Sequence, residues 1–545
     1  MLQEVQWNDI EYMNKSLDFT YDNSSYDTLP GLVQNLHSNH QKYVMIIDPG
    51  ISNQQQPGFY PPYDEGILMD VFVKQADSEK PLEGIVWPGK TVYPDFLSTN
   101  SSVWWARQLK SYREKVKFDG VWIDMNEPSN FVSGSTSGCN EKDKHENPPY
   151  LPRIAGGKLN DKTICMTSKH FDNTIHYNVH NLYGYFEAQA THRALLSINP
   201  DKRPFIISRS TFAGSGVFGG HWTGDVKSSW EDMRQSVVGI CNFNLFGIPL
   251  VGADICGFGG NTSLELCVRW TQLGAFYPFM RNHNTLDATP QAPTDFPSDA
   301  MKIMKKAIEL RYFFLPYLYT LFYEAHTYGY TVARGLYLEF TRDETAKTID
   351  SQFMWGDSLI ISPVMQPSAT SLWAYFPQSR WFDPETGDEV SSSSGTWKKF
   401  KVDLSTLKVH LRGGRIVPTQ KVSLTTAESR NNPVGLLVAM DDRMMSGGSL
   451  YWDEGDGFAD HKMFIRFSAN LKGMKSSLKT YYGNFDILLD EIKIYGLPIT
   501  PRVVTLTVPS LNVISKPVSF VVLPNNAFKL VNLKIDLTKE FFIDW

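Results

Sequence analysis

Seven short apolar runs punctuate the first 290 residues, and each ends in a charged or polar residue. VQWND ends at Asp9, YVMIID at Asp48, GVWID at Asp124 and PFIISR at Arg209. GGHWTGD ends at Asp225, PLVGAD at Asp254 and FYPFMRNH at His283. Helix-like spacers such as Ser102–Lys115 and Tyr183–Ile198 separate them. Continuous apolar runs alternating with helices predict a parallel sheet covered on both faces. Polar residues at the strand ends predict a (β/α)8 TIM barrel in particular, because that fold builds its site at the C-terminal face. A doubly wound open sheet is the alternative. It calls for a Gly-rich phosphate loop, and Gly214-Ser215-Gly216 with Gly219-Gly220 lacks the required spacing and lysine.

The pattern changes after residue 330. Pro297-Ser298-Asp299 signals a helix start, and Pro316 should kink that helix before it ends near Tyr328-Gly329. Beyond it, short β-type runs such as LIISPV and RIVPT alternate with turn residues. The same rhythm continues through Val503–Val508, FVVL and FFIDW. This predicts three domains: a barrel over 1–330, a proximal β-sandwich over 331–420 and a distal one over 421–545. The barrel supplies seven strands rather than eight, and the first lies almost at Met1. A closed barrel takes its first strand from sequence N-terminal to Val5, so the 545 residues are expected to be part of a longer chain.

Composition narrows the function. A net charge of −6 gives no electrostatic reason to expect nucleic acid or an anionic membrane as partner. No apolar run is long enough for a membrane span, and the N-terminus is not a signal peptide. Asn14, Asn23, Asn100 and Asn261 head glycosylation sequons, which permit a secretory route. None of the five cysteines forms a CxxC pair, so no zinc site is expected. Cys139 and Cys165 bracket one loop, and Cys256 and Cys267 bracket another. Two loop-closing disulfides with Cys241 free, or five reduced thiols, both fit that spacing.

The strand ends carry the candidate chemistry. A ring of carboxylates with Trp7, Trp87, Trp122, Trp222 and Phe258 beside it suits a sugar. Glycosidic cleavage needs two carboxyl groups in different protonation states. Position alone does not say which of Asp9, Asp48, Asp124, Asp225 and Asp254 are the pair. Asp48, before Pro49-Gly50, reads first as a turn former, and Asp254 reads equally as an orienting partner or a sugar contact. His221 reads as structural, and Lys90 and Arg281 as charge partners of the carboxylates.

GVWIDMNEPSNF (120–131) resembles the signature of glycoside hydrolase family 31, the α-glucosidases. WNDIEYM, MIIDPG, VWPGKTVYPDF, SRSTFAGSG, GHWTGD, GADICGF and RNHN resemble that family too, in order, across essentially the whole chain. The resemblance implies Asp124 as nucleophile and Asp225 as general acid/base, with roughly 5–5.5 Å between the carboxyl groups of a retaining pair. It implies Asp9, Arg209 and His283 as binders of sugar hydroxyls. Trp87, Trp122, Met125, Trp222 and Phe258 would line the pocket, and Ile10, Ile46 and Asp254 would complete it. Glu127 would brace the site. The family's loop disulfides match Cys139–Cys165 and Cys256–Cys267, which points to an oxidising compartment: extracellular, lysosomal, or membrane-tethered through a missing N-terminal region. The implied reaction releases glucose with retention from an oligosaccharide such as maltose and needs no cofactor or metal. Apolar crowding beside Trp222 is expected to raise the Asp225 pKa. A non-catalytic carbohydrate-binding relative, and a same-family α-xylosidase or glycan-trimming glucosidase, are the alternatives.

Overall fold

The structure, a computed structural model, describes residues 3–392, 394–498 and 500–545. The chain divides into two compact units, Gln3–Trp222 and Thr223–Trp545.

Five of the seven sequence-predicted strands form a parallel array in the first unit. They run in the order Val5–Asn8, Lys42–Ile47, Gly120–Ile123, Ile206–Ser208, Gly220–Trp222. Register explains why their ends matter. Ile47 lies beside Ile123, and Ile123 beside Ser208. The next residue on each strand is Asp48, Asp124 and Arg209, so three charged side chains leave the same edge. The ladder extends one step further: Asp124 N–H donates to Ile47 O at 3.3 Å, and Arg209 N–H to Ile123 O at 3.2 Å. The strands are buried on both faces, as their unbroken apolar sequence requires. Helices Thr99–Lys115 and Tyr183–Ile198 cover them, and Trp105 Nε1 donates to Thr191 Oγ1 between the two at 2.9 Å. A small antiparallel sheet of Ile51–Ser52, Gly89–Val92 and Gly84–Val86 carries Trp87 at its turn.

In the second unit Asp254–Ile255 pairs in parallel with Arg281–Asn282, and Asp254 stands opposite Arg281. The expected long helix is two, Ser298–Phe313 and Leu315–Tyr328. The break falls at Phe314, and Pro316 sits in the first turn of the second helix, where its missing N–H costs nothing. Gly329 ends that helix in the left-handed conformation, φ 73°.

The strands that follow form a six-stranded sheet with a two-stranded companion, then a twelve-stranded sheet. Inward side chains of the last sheet, among them Ile416, Leu450, Ile465, Leu489 and Ile543, share one core, so it closes over itself. Arg415–Gln420 belongs to this sheet, hydrogen-bonded to Val434–Ala439. Its place in sequence had put it in the proximal sandwich. A shared core ties the second helix to both modules: Tyr317 Oη donates to Trp355 O at 3.1 Å, and Tyr323 stacks on Tyr451 at 4.0 Å.

Candidate active site

In the first unit the site is built around Asp124, which is 9% exposed. Its Oδ1 accepts from its own neighbour, Met125 N–H, at 2.6 Å, and from Arg209 Nη1 at 2.8 Å. The rest of the Arg209 fork grips Glu127: Nε donates to Oε1 at 2.8 Å and Nη2 to Oε2 at 2.9 Å. Nη2 also lies 3.1 Å from Met125 Sδ. One guanidinium therefore fixes two carboxylates of one loop, a bidentate geometry that lysine cannot reproduce. Met125 takes a left-handed φ of 55°, which turns the chain sharply after the strand.

Asn126 pins the loop from beneath. It is fully buried, donates to Ser208 Oγ at 2.9 Å and accepts from Ser210 N–H at 2.8 Å. Helix Tyr183–Ile198 comes so close here that a Cβ on Gly184 would lie 2.5 Å from Ser210 O, so only glycine fits. Trp122 meets Trp222 edge-on at 5.3 Å and Trp7 at 6.1 Å. Trp122, Trp222 and Ile46 are all buried, at the base of the strand tips. Asp9 caps the turn after its strand by accepting from Ile10 N–H at 2.7 Å, and Asp9 and Ile10 are half-buried. Trp87 is 52% exposed and stands edge-on to Phe131 at 4.9 Å. Lys90 pairs with Glu83 at 2.9 Å, so it is not a partner of the strand-tip carboxylates as expected. His221 is buried against Ser208 O, and burial lowers its pKa to about 4.

Three further buried carboxyls surround this loop, and two of them, Asp18 and Glu187, carry no signal in the sequence pattern. Asp48, which reads from sequence as a turn former, is buried. Its N–H donates to the buried Asp18 Oδ1 at 2.9 Å. Burial raises the Asp48 pKa well above the carboxylate range, and the charges of Asp18, Asp124 and Asp9 add to the effect. Burial also pushes Asp18 up to about 8. Glu187 lies buried on helix Tyr183–Ile198, and desolvation raises it strongly.

In the second unit Asp225 is exposed, so the expected apolar crowding is not present around it. Its loop is held by the next one: Phe258 N–H donates to Val226 O at 2.8 Å, and Ser228 N–H to Gly259 O at 2.8 Å. Phe258 lies against His283 at 5.4 Å, both half-buried. Asp254 is buried in an ion pair. Arg281 Nη2 and Nε reach its Oδ1 at 2.7 and 3.0 Å. Gln291, another residue that sequence reasoning missed, is buried and donates to the carbonyls of Ile255, Gly257 and His283.

Two disulfides are formed, Cys139–Cys165 and Cys256–Cys267, and Cys241 is free. Among the described residues, the one cluster of potential metal-ligand atoms is Cys139, Glu146 and Cys165, and both of its sulfurs are in the disulfide. No helix among the described residues is long and apolar enough to cross a membrane.

Carboxylates and an arginine at the C-terminal ends of parallel strands, over a floor of tryptophan, are the site plan of a TIM-barrel enzyme. The glycosyl hydrolases family 31 TIM-barrel domain matches residues 1–321, and the C-terminal domain of that family matches 329–417. The chain belongs to glycosyl hydrolase family 31. It is 44% identical to the lysosomal alpha-glucosidase of Bos taurus over 99% of this chain and 59% of that protein. It is 40% identical to the intestinal sucrase-isomaltase of Homo sapiens over 99% of this chain and 30% of that protein. The chain thus spans a little over half the length of the lysosomal relatives. Among solved structures, glucosidase II alpha subunit bound to Glc1Man2 superposes with a TM-score of 0.90 at 27% identity. That match covers all of this chain and 59% of the other.

Proposed function

We propose that this chain is the catalytic portion of a retaining, exo-acting α-glucosidase that cleaves terminal α-linked glucose from maltose-like oligosaccharides. The observation that carries the reading is the Asp124 loop. A carboxylate at a parallel strand tip is fixed through Oδ1 by a backbone N–H and by Arg209. An oxygen of this carboxylate is assigned to attack the anomeric carbon. Asp225 gives its proton to the departing oxygen, and a glycosyl ester forms on Asp124. Asp225 then takes a proton from water, which releases glucose with retained configuration. The exposure of Asp225 suits a group that must meet both the leaving group and water. Its proton is held once bound sugar strips water from it.

Asp9, Arg209 and His283 are assigned to sugar hydroxyls. Trp87, Trp122, Met125, Trp222 and Phe258 are assigned to the walls, with Ile10, Ile46 and Asp254 completing the pocket. Glu127 acts through Arg209. The border between the two β-modules is assigned near residue 414, a reading supported by the pairing of Arg415–Gln420 with Val434–Ala439. A secretory location is supported by two disulfides and by four exposed sequon asparagines, Asn14, Asn23, Asn100 and Asn261.

The test is glucose release from maltose by the chain and by Asp124→Ala. Loss of at least about 10⁴-fold is expected for the variant, and proton NMR of early product should show the α anomer. Equal release from both rejects Asp124 as nucleophile. No release from either, with maltose still bound, identifies a non-catalytic binding protein. Preference for an α-xyloside or a glucosylated mannose glycan redirects the substrate within the family.

A further inference from the structure

The Asp124 loop is held on two sides by different parts of the chain. Arg209 and Asn126 hold it from the strand side. Its outer side, residues 128–130, is held from inside the loop that Cys139 and Cys165 close. Thr163 is buried, two residues before Cys165, and its Oγ1 donates to Pro128 O at 2.6 Å. Thr163 also pairs with Ser129 in an antiparallel bridge, and Asn130 N–H donates to Lys162 O at 2.9 Å. Ser129 N–H in turn donates to Met125 O at 2.8 Å, which closes the turn that carries Glu127.

Thr163 is itself firmly placed. A Cβ on Gly134 would collide with Cys139 Sγ and lie 3.0 Å from Cys165 Sγ, so the backbone at Gly134 lies flat against the disulfide, at a φ of 82° that favours glycine. Gly134 N–H donates to Thr163 O at 2.8 Å and to Asn160 O at 3.1 Å. Behind them the buried Glu146 ties both ends of the segment. Asn160 Nδ2 donates to its Oε2 at 3.0 Å, and Thr167 donates to its Oε1 through N–H at 2.8 Å and through Oγ1 at 2.7 Å.

Neighbouring residues of the outer side reach different targets. Asn130 Oδ1 accepts from Ile85 N–H at 2.9 Å, and Phe131 N–H donates to Ile85 O at 2.8 Å. Those bonds hold the small sheet that carries Trp87. Thr163 instead holds the peptide that follows Glu127, and Glu127 shares the Arg209 fork with Asp124.

We propose that Thr163 is a positioning residue for Asp124: its hydroxyl fixes the peptide after Glu127, so that the Arg209 fork meets both carboxylates at once. The proposal rests on the hydrolase reading above for its effect on rate and not for its effect on the loop.

The torsions of the turn show why one hydroxyl matters. The ring of Pro128 fixes its φ, so ψ is the torsion left to set the direction between Glu127 and Ser129. The carbonyl of Pro128 turns with that ψ, and the Thr163 hydroxyl holds the carbonyl. The branch at the threonine Cβ limits χ1, which aims the hydroxyl in one direction. A buried carbonyl that loses its donor turns towards another donor or towards water. That rotation is passed along the chain to Glu127, and through the fork to Asp124.

Thr163→Val keeps the shape and removes the hydroxyl, whereas Thr163→Ser keeps the hydroxyl and removes the methyl. Two readouts separate the positioning role from the hydrolase reading. The first is amide hydrogen exchange of the peptide over residues 120–131, followed by mass spectrometry. In Thr163→Val the amides of Met125 and Ser129 are expected to exchange at least about tenfold faster, and in Thr163→Ser at the parent's rate. Parent-like exchange in Thr163→Val overturns the proposal, whatever the protein hydrolyses, and so does equally fast exchange in both variants. The second is the division of the effect on maltose between kcat and KM. Thr163→Val is expected to lose about tenfold in kcat with KM within about threefold, because the Trp87 sheet keeps its own bonds. Thr163→Ser should restore kcat to within about twofold of the parent. A loosened loop with kcat unchanged, or a change in KM alone, makes Thr163 merely structural and overturns the proposal. If Thr163→Val does not fold, Thr163→Ala and Thr163→Ser differ by the hydroxyl alone and carry the same two measurements with the same outcomes. A parent chain that releases no glucose removes the hydrolase reading, and the exchange alone then decides whether Thr163 fixes the loop.

Discussion

Two arginines at strand tips do similar work in different surroundings. Arg209, in the first unit, spreads its fork over Asp124 and Glu127 with 20% of its side chain exposed. Arg281, in the second, spends two nitrogens on Asp254, and both side chains are almost wholly buried, at 2% and 1%. A buried pair gains Coulomb energy but loses hydration on both sides, and its removal strands whichever charge remains. A half-open pair costs less to form and can exchange partners with a ligand. On the function proposed above, the difference separates an arginine that arranges the proposed nucleophile from one that holds a fold together.

Arg209→Ala breaks the comparison most strongly. It releases both carboxylates of the Asp124 loop, so kcat/KM for maltose is expected to fall by about 10³-fold. The unfolding midpoint should barely move, because solvent reaches the site. A loss below tenfold would leave Arg209 no positioning role. Arg281→Ala is expected to do the reverse. It leaves Asp254 buried and unpaired, at a cost of about 3 kcal/mol or more in stability. Chemical denaturation followed by tryptophan fluorescence measures it. An unchanged midpoint would mean that water replaces the guanidinium.

Glu127→Gln gives a smaller effect on the first arginine alone. Glutamine keeps one acceptor for the fork but loses the charge and the second parallel bond. A fall of about tenfold in kcat/KM is expected, with KM rising less than kcat falls. An unchanged rate would mean that Asp124 and the Met125 sulfur suffice to hold Arg209.

Much of this contrast was legible in the chain before folding. An apolar run ended by a charge marks a strand tip, and Asp124, Arg209, Asp225, Asp254 and His283 were all found that way. Charge state and burial were not legible, because they depend on what lies behind the tip. Asp225, expected in an apolar corner, is exposed, whereas Asp48, expected as a turn former, is buried among other carboxyls. Asp18 sits in SLDFT, a stretch with no period to betray it, and becomes a buried acceptor only because the Lys42–Ile47 strand delivers the Asp48 N–H to it. His176 and His180 lie four apart across the short helix His176–Val179, and the buried His170 meets His176 only because a loop reverses. Arg415–Gln420 reads as a strand but not as a member of one sheet, since its partners come later in the chain.

The smallest effect tests the ground beneath Asp124. Asp18 is buried, and desolvation raises its carboxyl to about 8, while its hydrogen bond from the Asp48 N–H works in the opposite direction. An acid with a raised folded pKa holds a proton that the unfolded chain has already released. Its contribution to stability is complete below about pH 4, where both states are protonated, and drains away as pH climbs towards 8. Asp18→Asn keeps the Oδ1 acceptor but has nothing to titrate. Its unfolding midpoint should therefore change less between pH 5 and 8 than that of the parent, by an amount that Asp48 shares because the two carboxyls titrate as a pair. Identical slopes for the parent and Asp18→Asn would show that Asp18 is ionised in the fold. The carboxyl-rich side of the comparison would then rest on charge held by Arg209 rather than on protons held by burial.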